Sequence, residues 1–169
     1  MLNNKTPLVS VLMNCHNCEK YLKFAIKSII EQSYKNWELV FLDNNSNDNS
    51  KKILEQFNDK RIKYYNTKKF LKLGEARKKG WELCTGKYIA ILDSDDIADT
   101  KRLENQINFF NNNNDFAVYG SNLDIINSDG EFIERVNCST DSEILKKEIF
   151  YSFPFMNSTL MIDKNIGDE

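Results

Sequence analysis

Short apolar runs alternate along the chain with longer segments in which apolar residues recur every three or four positions. The runs PLVSVLMN (7–14), WELVFLD (37–43) and KYIAILD (87–93) have the length and the apolar content of buried strands. RIKYY (61–65) is a weaker run of the same kind. The longer segments have the spacing of amphipathic helices. The pattern therefore predicts strands and helices in alternation.

Two residues mark predicted ends of helices. Asn17 is expected to cap the first helix, because an Asn side chain can accept hydrogen bonds from the N–H groups of the first turn. Gly86 is expected to close the third helix, GEARKKGWELCTG (74–86), at its C-cap. The apolar positions that define the first, second and fourth helices are Leu22, Ala25, Ile26, Ile29 and Ile30, then Ile53, Leu54 and Phe57, and then Leu103, Ile107 and Phe110.

The segment after the fourth helix is predicted to add further strands. FAVYGSNLDIINSDGEFIERV (116–136) has the pattern of strands around a turn at Ser128-Asp129-Gly130. Strands that alternate with helices pair in a mainly parallel sheet with helices on both faces, which is the α/β class. Because no Gly/Ser-rich linker and no repeat interrupts the sequence, residues 1–169 are expected to form a single domain.

Polar side chains follow the predicted strands at the places where those strands end. Asn14, His16 and Asn17 follow the first strand, Asp43 ends the second, and the acids of DSDD (93–96) follow the fourth. In mainly parallel sheets, ligands bind outside the carboxyl ends of the strands. We therefore expect a ligand at this edge of the sheet.

Asp93, Asp95 and Asp96 place three carboxylates within four residues of one another. Neighbouring carboxylates raise one another's pKa unless a cation or hydrogen-bond donors compensate. Carboxylate oxygens suit Mg²⁺ and Mn²⁺, which are typically held by one or two carboxylates together with substrate phosphates. The motif predicts a divalent metal that bridges a diphosphate. A solvated acidic turn that caps the next helix is the alternative.

Asp43 and Arg77 each have an ordinary explanation when taken alone. Asp is common in turns because its side chain bonds to the local backbone. Arg77 lies beside Lys78 and Lys79, as expected of a solvated basic helix face. The two residues gain significance because both are expected to neighbour the same edge of the sheet.

Composition and charge narrow the classes of partner. The chain has 41% hydrophobic residues and a formal net charge of −2, which argues against nucleic acid, because nucleic-acid binding needs a clustered basic surface. No apolar run approaches the roughly 18 residues of a membrane span, and MLNNKTP (1–7) lacks the layout of a secretory signal. We expect a cytoplasmic protein, with peripheral attachment to the inner face of a membrane left open.

The four cysteines raise the question of redox or metal chemistry. Cys15 and Cys18 form a C-x-x-C pattern, which suits a redox dithiol or half of a zinc site. Cys84 and Cys138 lie far apart and supply no second pair of ligands. Because structural disulfides are rare in the cytosol, all four are expected to be thiols. The C-x-x-C pair is interpreted as incidental to the function.

Two stretches of the sequence resemble a known family. PLVSVLMNCHNCEKYLKFAIKSIIEQSYKNWELVFLDNNSNDNS (7–50) and GEARKKGWELCTGKYIAILDSDD (74–96) look like the N-terminal half of glycosyltransferase family 2, which has the GT-A fold. The similarity runs from about Pro7 to about Leu103 and continues more weakly to Met161. The resemblance depends on three features in combination. They are Q-S-Y-x-N-W-E-L leading into the second strand, D-x-x-S-x-D-x-S after it, and the helix with Arg77 that precedes the strand ending in D-x-D-D.

The resemblance implies a nucleotide-sugar donor, usually a UDP-sugar, a Mn²⁺ or Mg²⁺ ion, and inversion at the anomeric carbon. By the same resemblance, Asp43 would hydrogen-bond the base, and Arg77 would lie near the base or the diphosphate. Asp93 would approach the ribose or the water shell of the metal, and Asp95 would be the direct metal ligand. Saccharide, lipid-linked and protein acceptors all stay open.

The sequence departs from the family pattern in two places. Members commonly have P-x-Y-N after the first strand, where the tyrosine stacks on the base. The matching residues here are Asn14-Cys15-His16-Asn17, so His16 would take the stacking position. The catalytic base of the family lies beyond the part that resembles FPFMNSTLMIDKNIG (153–167). Gly167-Asp168-Glu169 resembles a shortened form of the motif before that base, so neither acid is assigned the role, and a truncated form or a fragment of a longer transferase is expected.

Two other functions are left open by the sequence. LDSDDI (92–97) resembles the Asp-x-Asp nucleophile motif of haloacid-dehalogenase-type phosphatases, although that motif is expected near the start of its domain. The absence of an assigned base would also suit a catalytically inactive nucleotide-sugar-binding module.

Overall fold

The computed structural model describes residues 6–113, 115–148, 151 and 155–168. The strands are β1 (Val9–Cys15), β2 (Trp37–Asp43), β3 (Ile62–Asn66), β4 (Tyr88–Ile91), β5 (Val118–Tyr119), β6 (Leu123–Ile126), β7 (Phe132–Val136) and β8 (Met161–Asp163). The helices are α1 (Leu22–Ile30), α2 (Ser50–Leu54), α3 (Leu73–Leu83), α4 (Arg102–Asn112) and α5 (Ser142–Glu148). Short 3₁₀ turns span Asn157–Thr159 and Lys164–Asp168.

The strands of the main sheet lie in the order β3-β2-β1-β4-β8-β5. β3, β2, β1 and β4 pair in parallel, with Val9 of β1 opposite Trp37 of β2 and Tyr88 of β4. β8 runs antiparallel between β4 and β5, and β6 and β7 form a separate antiparallel pair. The predicted α/β class with a mainly parallel sheet is confirmed.

Helices cover both faces of the main sheet. Alternate residues of each strand face opposite sides, so each strand contributes side chains to the apolar packing on both faces. Val9 and Met13 of β1 belong to a core cluster that also takes in apolar residues of α1, α2 and α4. Leu12 belongs to a second cluster, in which Trp81 of α3 packs. The arrangement is the predicted one, and it leaves the carboxyl ends of β1, β2 and β4 together at one edge.

Two predicted helix ends are wrong. α1 begins at Leu22, and Asn17 lies in the preceding turn with a φ of 55°. α3 ends at Leu83, so Gly86 lies beyond it. Gly86 instead allows two backbone segments to approach closely, since a Cβ at this position would lie 2.6 Å from the Ser10 nitrogen.

Two other boundaries also differ from the sequence prediction. β4 ends at Ile91, so Asp93 follows the strand as part of a turn. α2 ends at Leu54, and Phe57 packs against the core from beyond the helix. None of the helices in the described ranges is long and apolar enough to cross a bilayer.

The expectation that all four cysteines are thiols is wrong for the C-x-x-C pair. Cys15 and Cys18 form a disulfide, with their Cα atoms 6.0 Å apart, which is within the range that a disulfide spans. Cys84 and Cys138 remain thiols, and burial raises the pKa of Cys84 to about 12. The prediction of thiols depended on a reducing compartment, whereas the chain makes a tight left-handed turn at Asn17, between the two bonded cysteines.

Candidate functional site

Two turns at the carboxyl edge of the sheet are joined by hydrogen bonds. The β1 turn (16–19) follows β1, and the β2 turn (44–49) follows β2 and leads into α2. The N–H of Asn17 donates to Ser46 Oγ at 3.1 Å, and Asn17 Oδ1 accepts from the N–H of Asn47 at 2.9 Å. Further bonds join Cys18 to Ser50 and Glu19 to Asp48. The polar stretch after β2 therefore fixes the β1 turn, and Asn17 belongs to this turn because α1 begins only after Tyr21.

Asp43 is buried at the end of β2 and supports the β2 turn. Its Oδ1 accepts from the N–H of Ser46, and its Oδ2 accepts from the hydroxyl of Tyr64, each at 2.8 Å. Burial raises the pKa of Tyr64 to about 12, and the bond to Asp43 adds to that rise, so the phenol stays a donor. Asp43 thus orders the turn, and only its remaining lone pairs are available to a ligand.

His16 is exposed in the β1 turn, and two contacts fix the orientation of its ring. Because the carbonyl oxygen of Asn44 can only accept, His16 Nδ1 donates to it over 2.9 Å. The ring lies against Phe70, with 4.6 Å between centroids and 59° between planes. Asn44 also holds the Phe70 loop, because its side chain bonds to both the N–H and the C=O of Leu71. The two rings form an aromatic surface at the carboxyl edge.

Asn14 of β1 lines a small cavity beneath this edge. Its Oδ1 is buried and has no hydrogen-bond partner among the described residues. The cavity has a volume of about 200 Å³ and is lined by Leu12, Asn14, Arg77, Lys78, Trp81 and Ile91. Asn14 therefore presents an unused acceptor next to Arg77.

A larger cleft opens at the carboxyl end of β4. Its volume is about 680 Å³, and its lining residues are Arg77, Asp93, Asp96, Leu123, Phe155, Met156, Asn157 and Ser158. Charged and polar groups from α3, the acidic turn (93–96) and the Asn157–Thr159 turn supply the polar part of the lining, here called the polar wall. Leu123, Phe155 and Met156 supply the apolar part. Such a cleft can bind an anionic, sugar-sized ligand whose charged part meets the polar wall.

Arg77 is the cation of the polar wall. Its Nη2 lies 3.8 Å from Asp93 Oδ1. With the Asn157 amide turned so that its oxygen faces the guanidinium, that oxygen accepts from Arg77 Nη1 at 3.1 Å and also from Nη2. The N–H of Asp93 donates to Ser158 Oγ at 3.0 Å. The turn before β8 thus contacts Arg77 and Asp93, two of the three charged residues that line the cleft.

The electrostatic balance at Asp93 indicates surplus negative charge in the acidic turn. Partial burial raises the pKa of Asp93 above its ordinary value, and the Arg77 guanidinium opposes this. The carboxylates of Asp96 and Asp95 raise the pKa further. A cation bound beside these acids would relieve the repulsion between them.

The acidic turn fits a divalent cation that is shared with a ligand. Among the described residues, no group of three or more His, Cys, Asp or Glu side chains is arranged to hold a metal ion by itself. An ion held with a diphosphate needs only one or two carboxylates from the protein. Asp93 lines the cleft and Asp95 is exposed beside it, so both can supply hard oxygen ligands.

The structure brings the predicted site residues together in two groups. His16, Asn17 and Asp43 belong to the two linked turns, whereas Arg77 and Asp93 line the cleft. Asn14 belongs to neither group and lines the small cavity together with Arg77. Asp95 is the one member of the predicted set that lies in the acidic turn without being part of the cleft lining.

Asn157 and Ser158 were missed by the sequence reasoning. FMNST (155–159) has no local signal of a site, and only the antiparallel pairing of β8 with β4 brings it beside the acidic turn. Phe70 was also missed, because it lies in a loop with no strand or helix pattern. The side chains of Asp168 and Glu169 lie outside the described part of the chain.

Comparison with known proteins gives a family match over most of the chain. The family model described as Glycosyl transferase family 2 matches residues 10–163. The chain is 35% identical over 165 residues to an uncharacterized glycosyltransferase of Methanocaldococcus jannaschii. This match covers 95% of the present chain and 57% of that protein. It is 37% identical over 183 residues to the UDP-Glc:alpha-D-GlcNAc-diphosphoundecaprenol beta-1,3-glucosyltransferase WfgD of Escherichia coli, with 95% and 72% covered. The chain thus spans little more than half the length of the first of these relatives.

Solved structures share the fold at low sequence identity. S. aureus TarS 1-349 in complex with UDP-GlcNAc superposes with a TM-score of 0.73 at 20% identity, over 95% of this chain and 46% of that one. The mannosyltransferase PcManGT from Pyrobaculum calidifontis, in complex with GDP-Man and Mn²⁺, superposes with a TM-score of 0.71 at 13% identity, over 98% and 47%.

Proposed function

The chain belongs to glycosyl transferase family 2 and has the GT-A fold, and on that premise we propose that its carboxyl edge binds a nucleotide-sugar donor together with Mn²⁺ or Mg²⁺. The donor is a UDP-sugar, and the chain is the donor-binding part of an inverting glycosyltransferase. The observation that supports this most directly is the cleft in which Arg77 faces Asp93 beside two further acids. The family match leaves the phosphatase alternative without support.

The polar wall of the cleft suits the diphosphate of the donor. Arg77 would pair with phosphate oxygens, because guanidinium N–H groups match phosphate geometry. Asp95 and Asp93 would hold the divalent cation, which, when bound, offsets the negative charge that builds on the leaving diphosphate. Asp93 is already oriented by the bond from its N–H to Ser158.

The linked turns suit the nucleoside. The exposed ring of His16 offers a stacking face for a base, and its contact with Phe70 holds that face in place. Asp43 would accept from a base N–H, with Asn14 and Asn17 nearby as further polar groups. The UDP-Glc in the name of the E. coli relative supports a UDP-sugar as the donor.

A lipid-linked acceptor is the acceptor class that has support. The name of the E. coli relative gives a sugar on diphosphoundecaprenol as its acceptor. The apolar lining of Leu123, Phe155 and Met156 makes the cleft suited to a ligand that has an apolar part as well as a charged one.

Calorimetric titration with UDP tests the donor site. UDP is expected to bind in the presence of Mn²⁺, and chelation of the metal should weaken binding by about 10-fold or more. Asp95→Ala should remove the metal dependence, whereas Asp129→Ala, in the exposed hairpin turn, should leave it intact. Unchanged metal dependence in Asp95→Ala would remove that residue from the site. Hydrolysis of UDP-glucose, followed by release of UDP, then separates a transferase from an inactive binding module.

A further inference from the structure

Asn157 holds the guanidinium of Arg77 at the boundary between the two cavities. Arg77 lines both the larger cleft and the smaller cavity beside Asn14. In the cleft its Nη2 lies 3.8 Å from Asp93 Oδ1, and its Nη1 donates over 3.1 Å to the oxygen of the Asn157 amide turned toward it. We propose that Asn157 is a positioning residue that aims Arg77 at the diphosphate of the nucleotide, an inference that rests on the proposed function.

The chemistry of Asn157 suits this role better than that of a charged or an apolar residue. An amide oxygen accepts from a guanidinium without neutralising it, so Arg77 keeps its charge for an anionic ligand. A carboxylate in the same place would form a salt bridge and compete with phosphate. Without any acceptor there, the guanidinium could close the gap to Asp93 and pair with it instead.

The turn that carries Asn157 is anchored to α4 by buried groups. Gln106 Nε2 donates to the carbonyl oxygen of Thr159 at 2.8 Å. Arg102 Nη2 donates to the carbonyl oxygens of Leu160 at 3.1 Å and Ile91 at 2.9 Å, which joins the start of β8 to the end of β4. Burial lowers the pKa of Arg102 to about 10, which leaves it charged at neutral pH. Asn157 therefore lies in a turn that is held in place by hydrogen bonds from α4.

The proposed role predicts which part of the nucleotide loses binding energy when Asn157 is replaced. If Asn157 acts through Arg77 on the diphosphate, a change at Asn157 should weaken UDP and leave uridine nearly unaffected. A change that only loosens the local structure should weaken both ligands by the same factor. The ratio of the two dissociation constants therefore separates positioning from general structural support.

The test measures binding of UDP and of uridine, both with Mn²⁺, to the full chain and to variants at Asn157. Asn157→Leu and Asn157→Asp are each expected to weaken UDP by about 5- to 10-fold, with uridine, followed by ligand-observed NMR, changed less than about 2-fold. Asn157→Gln, which keeps an amide acceptor, should recover part of the UDP affinity. Asn105→Leu, on the exposed side of α4, is the matched control.

Combination with Arg77→Gln completes the test. In that background, Asn157→Leu should cause no further loss of UDP affinity, because the guanidinium it positions is absent. Equal losses for UDP and uridine, additive losses in the double variant, or no loss in Asn157→Asp would each overturn the inference while leaving the donor site intact. Failure of the unchanged chain to bind UDP at all would instead overturn the proposed function, and this inference with it.

Discussion

The N–H of Asp93 donates to Ser158 Oγ over 3.0 Å, although 65 residues separate the two positions. Asp93 lies in the acidic turn after β4, and Ser158 lies in the 3₁₀ turn before β8. Because β8 runs antiparallel to β4, the end of one strand meets the start of the other. The bond therefore links the acidic turn to the Asn157–Thr159 turn, which lies near the C-terminal end of the sequence.

Replacement of Ser158 by Ala should weaken metal-dependent binding of UDP. The change leaves the N–H of Asp93 without its acceptor, and a hydrogen bond of this kind contributes about 1 kcal/mol. We expect a loss of about 5-fold in UDP affinity with Mn²⁺, measured by calorimetry. The melting temperature should fall only slightly, because the turn is also held from α4.

Ser158→Thr is the matched control, since it keeps the hydroxyl. Its UDP affinity should stay close to that of the unchanged chain. If Ser158→Ala and Ser158→Thr weakened UDP equally, the loss would come from packing and not from the bond to Asp93.

The sheet and its ligand edge could be predicted because strand patterns and turn residues are local signals. The runs that became β1, β2 and β4 were apparent from apolar content, and the rule for carboxyl ends then placed Asp43 and Asp93 at one edge. The parallel pairing of β3, β2, β1 and β4 follows from the alternation of strands with helices along the sequence.

The part of the cleft formed by the Asn157–Thr159 turn could not be predicted in the same way. Asn157 reaches Arg77 only because β8 returns between β4 and β5, and that pairing has no signature in FMNST (155–159). The role of Asn17 was missed for a related reason. Its side chain accepts from the N–H of Asn47, which lies 30 residues away in the sequence, so no local pattern reveals the bond.

Gly86→Ala should destabilise the fold by about 1–3 kcal/mol. The new Cβ would lie 2.6 Å from the Ser10 nitrogen and 2.7 Å from the Leu8 carbonyl oxygen, and both are backbone atoms that cannot easily give way. Denaturant unfolding measures the effect. Gly74→Ala is the control, because a Cβ there meets nothing within 4 Å and the residue lies inside α3. That variant should gain about 0.5–1 kcal/mol, and a loss in both variants would argue against the close approach at Gly86.

The disulfide between Cys15 and Cys18 predicts a definite alkylation pattern. The denatured, unreduced chain should take up iodoacetamide at Cys84 and Cys138 only, and prior reduction should add the other two sites, as read by peptide mass spectrometry. Because the closed loop is short, reduction should cost about 2 kcal/mol of unfolding free energy at most. Alkylation of all four cysteines before reduction, in protein kept from reductants throughout, would contradict the bond.

Glu38 should make the stability of the chain depend on acid pH. The side chain is buried on β2, where burial by itself raises its pKa, but bonds from Lys63, Ser10 and Thr85 outweigh this and bring the pKa from 4.5 to about 2. Since the folded pKa is the lower one, the stabilisation is complete above pH 4.5 and is lost as the pH falls toward 2. It amounts to about 3 kcal/mol.

Glu38→Gln tests this origin of the acid sensitivity. An amide can still accept from Ser10 and Thr85 at one end, but at the other it meets the ammonium of Lys63, which lies 2.6 Å from Oε2 in the unchanged chain. We expect a loss of about 2 kcal/mol at pH 7 and a flatter profile of unfolding free energy between pH 5 and 2.5, measured with urea. Glu55→Gln, at an exposed carboxylate whose ion-pair partner is the exposed Lys51, should reproduce the unchanged profile, because solvent-exposed ion pairs contribute little to stability. A Glu38→Gln profile as steep as that of Glu55→Gln would place the acid sensitivity at other carboxylates.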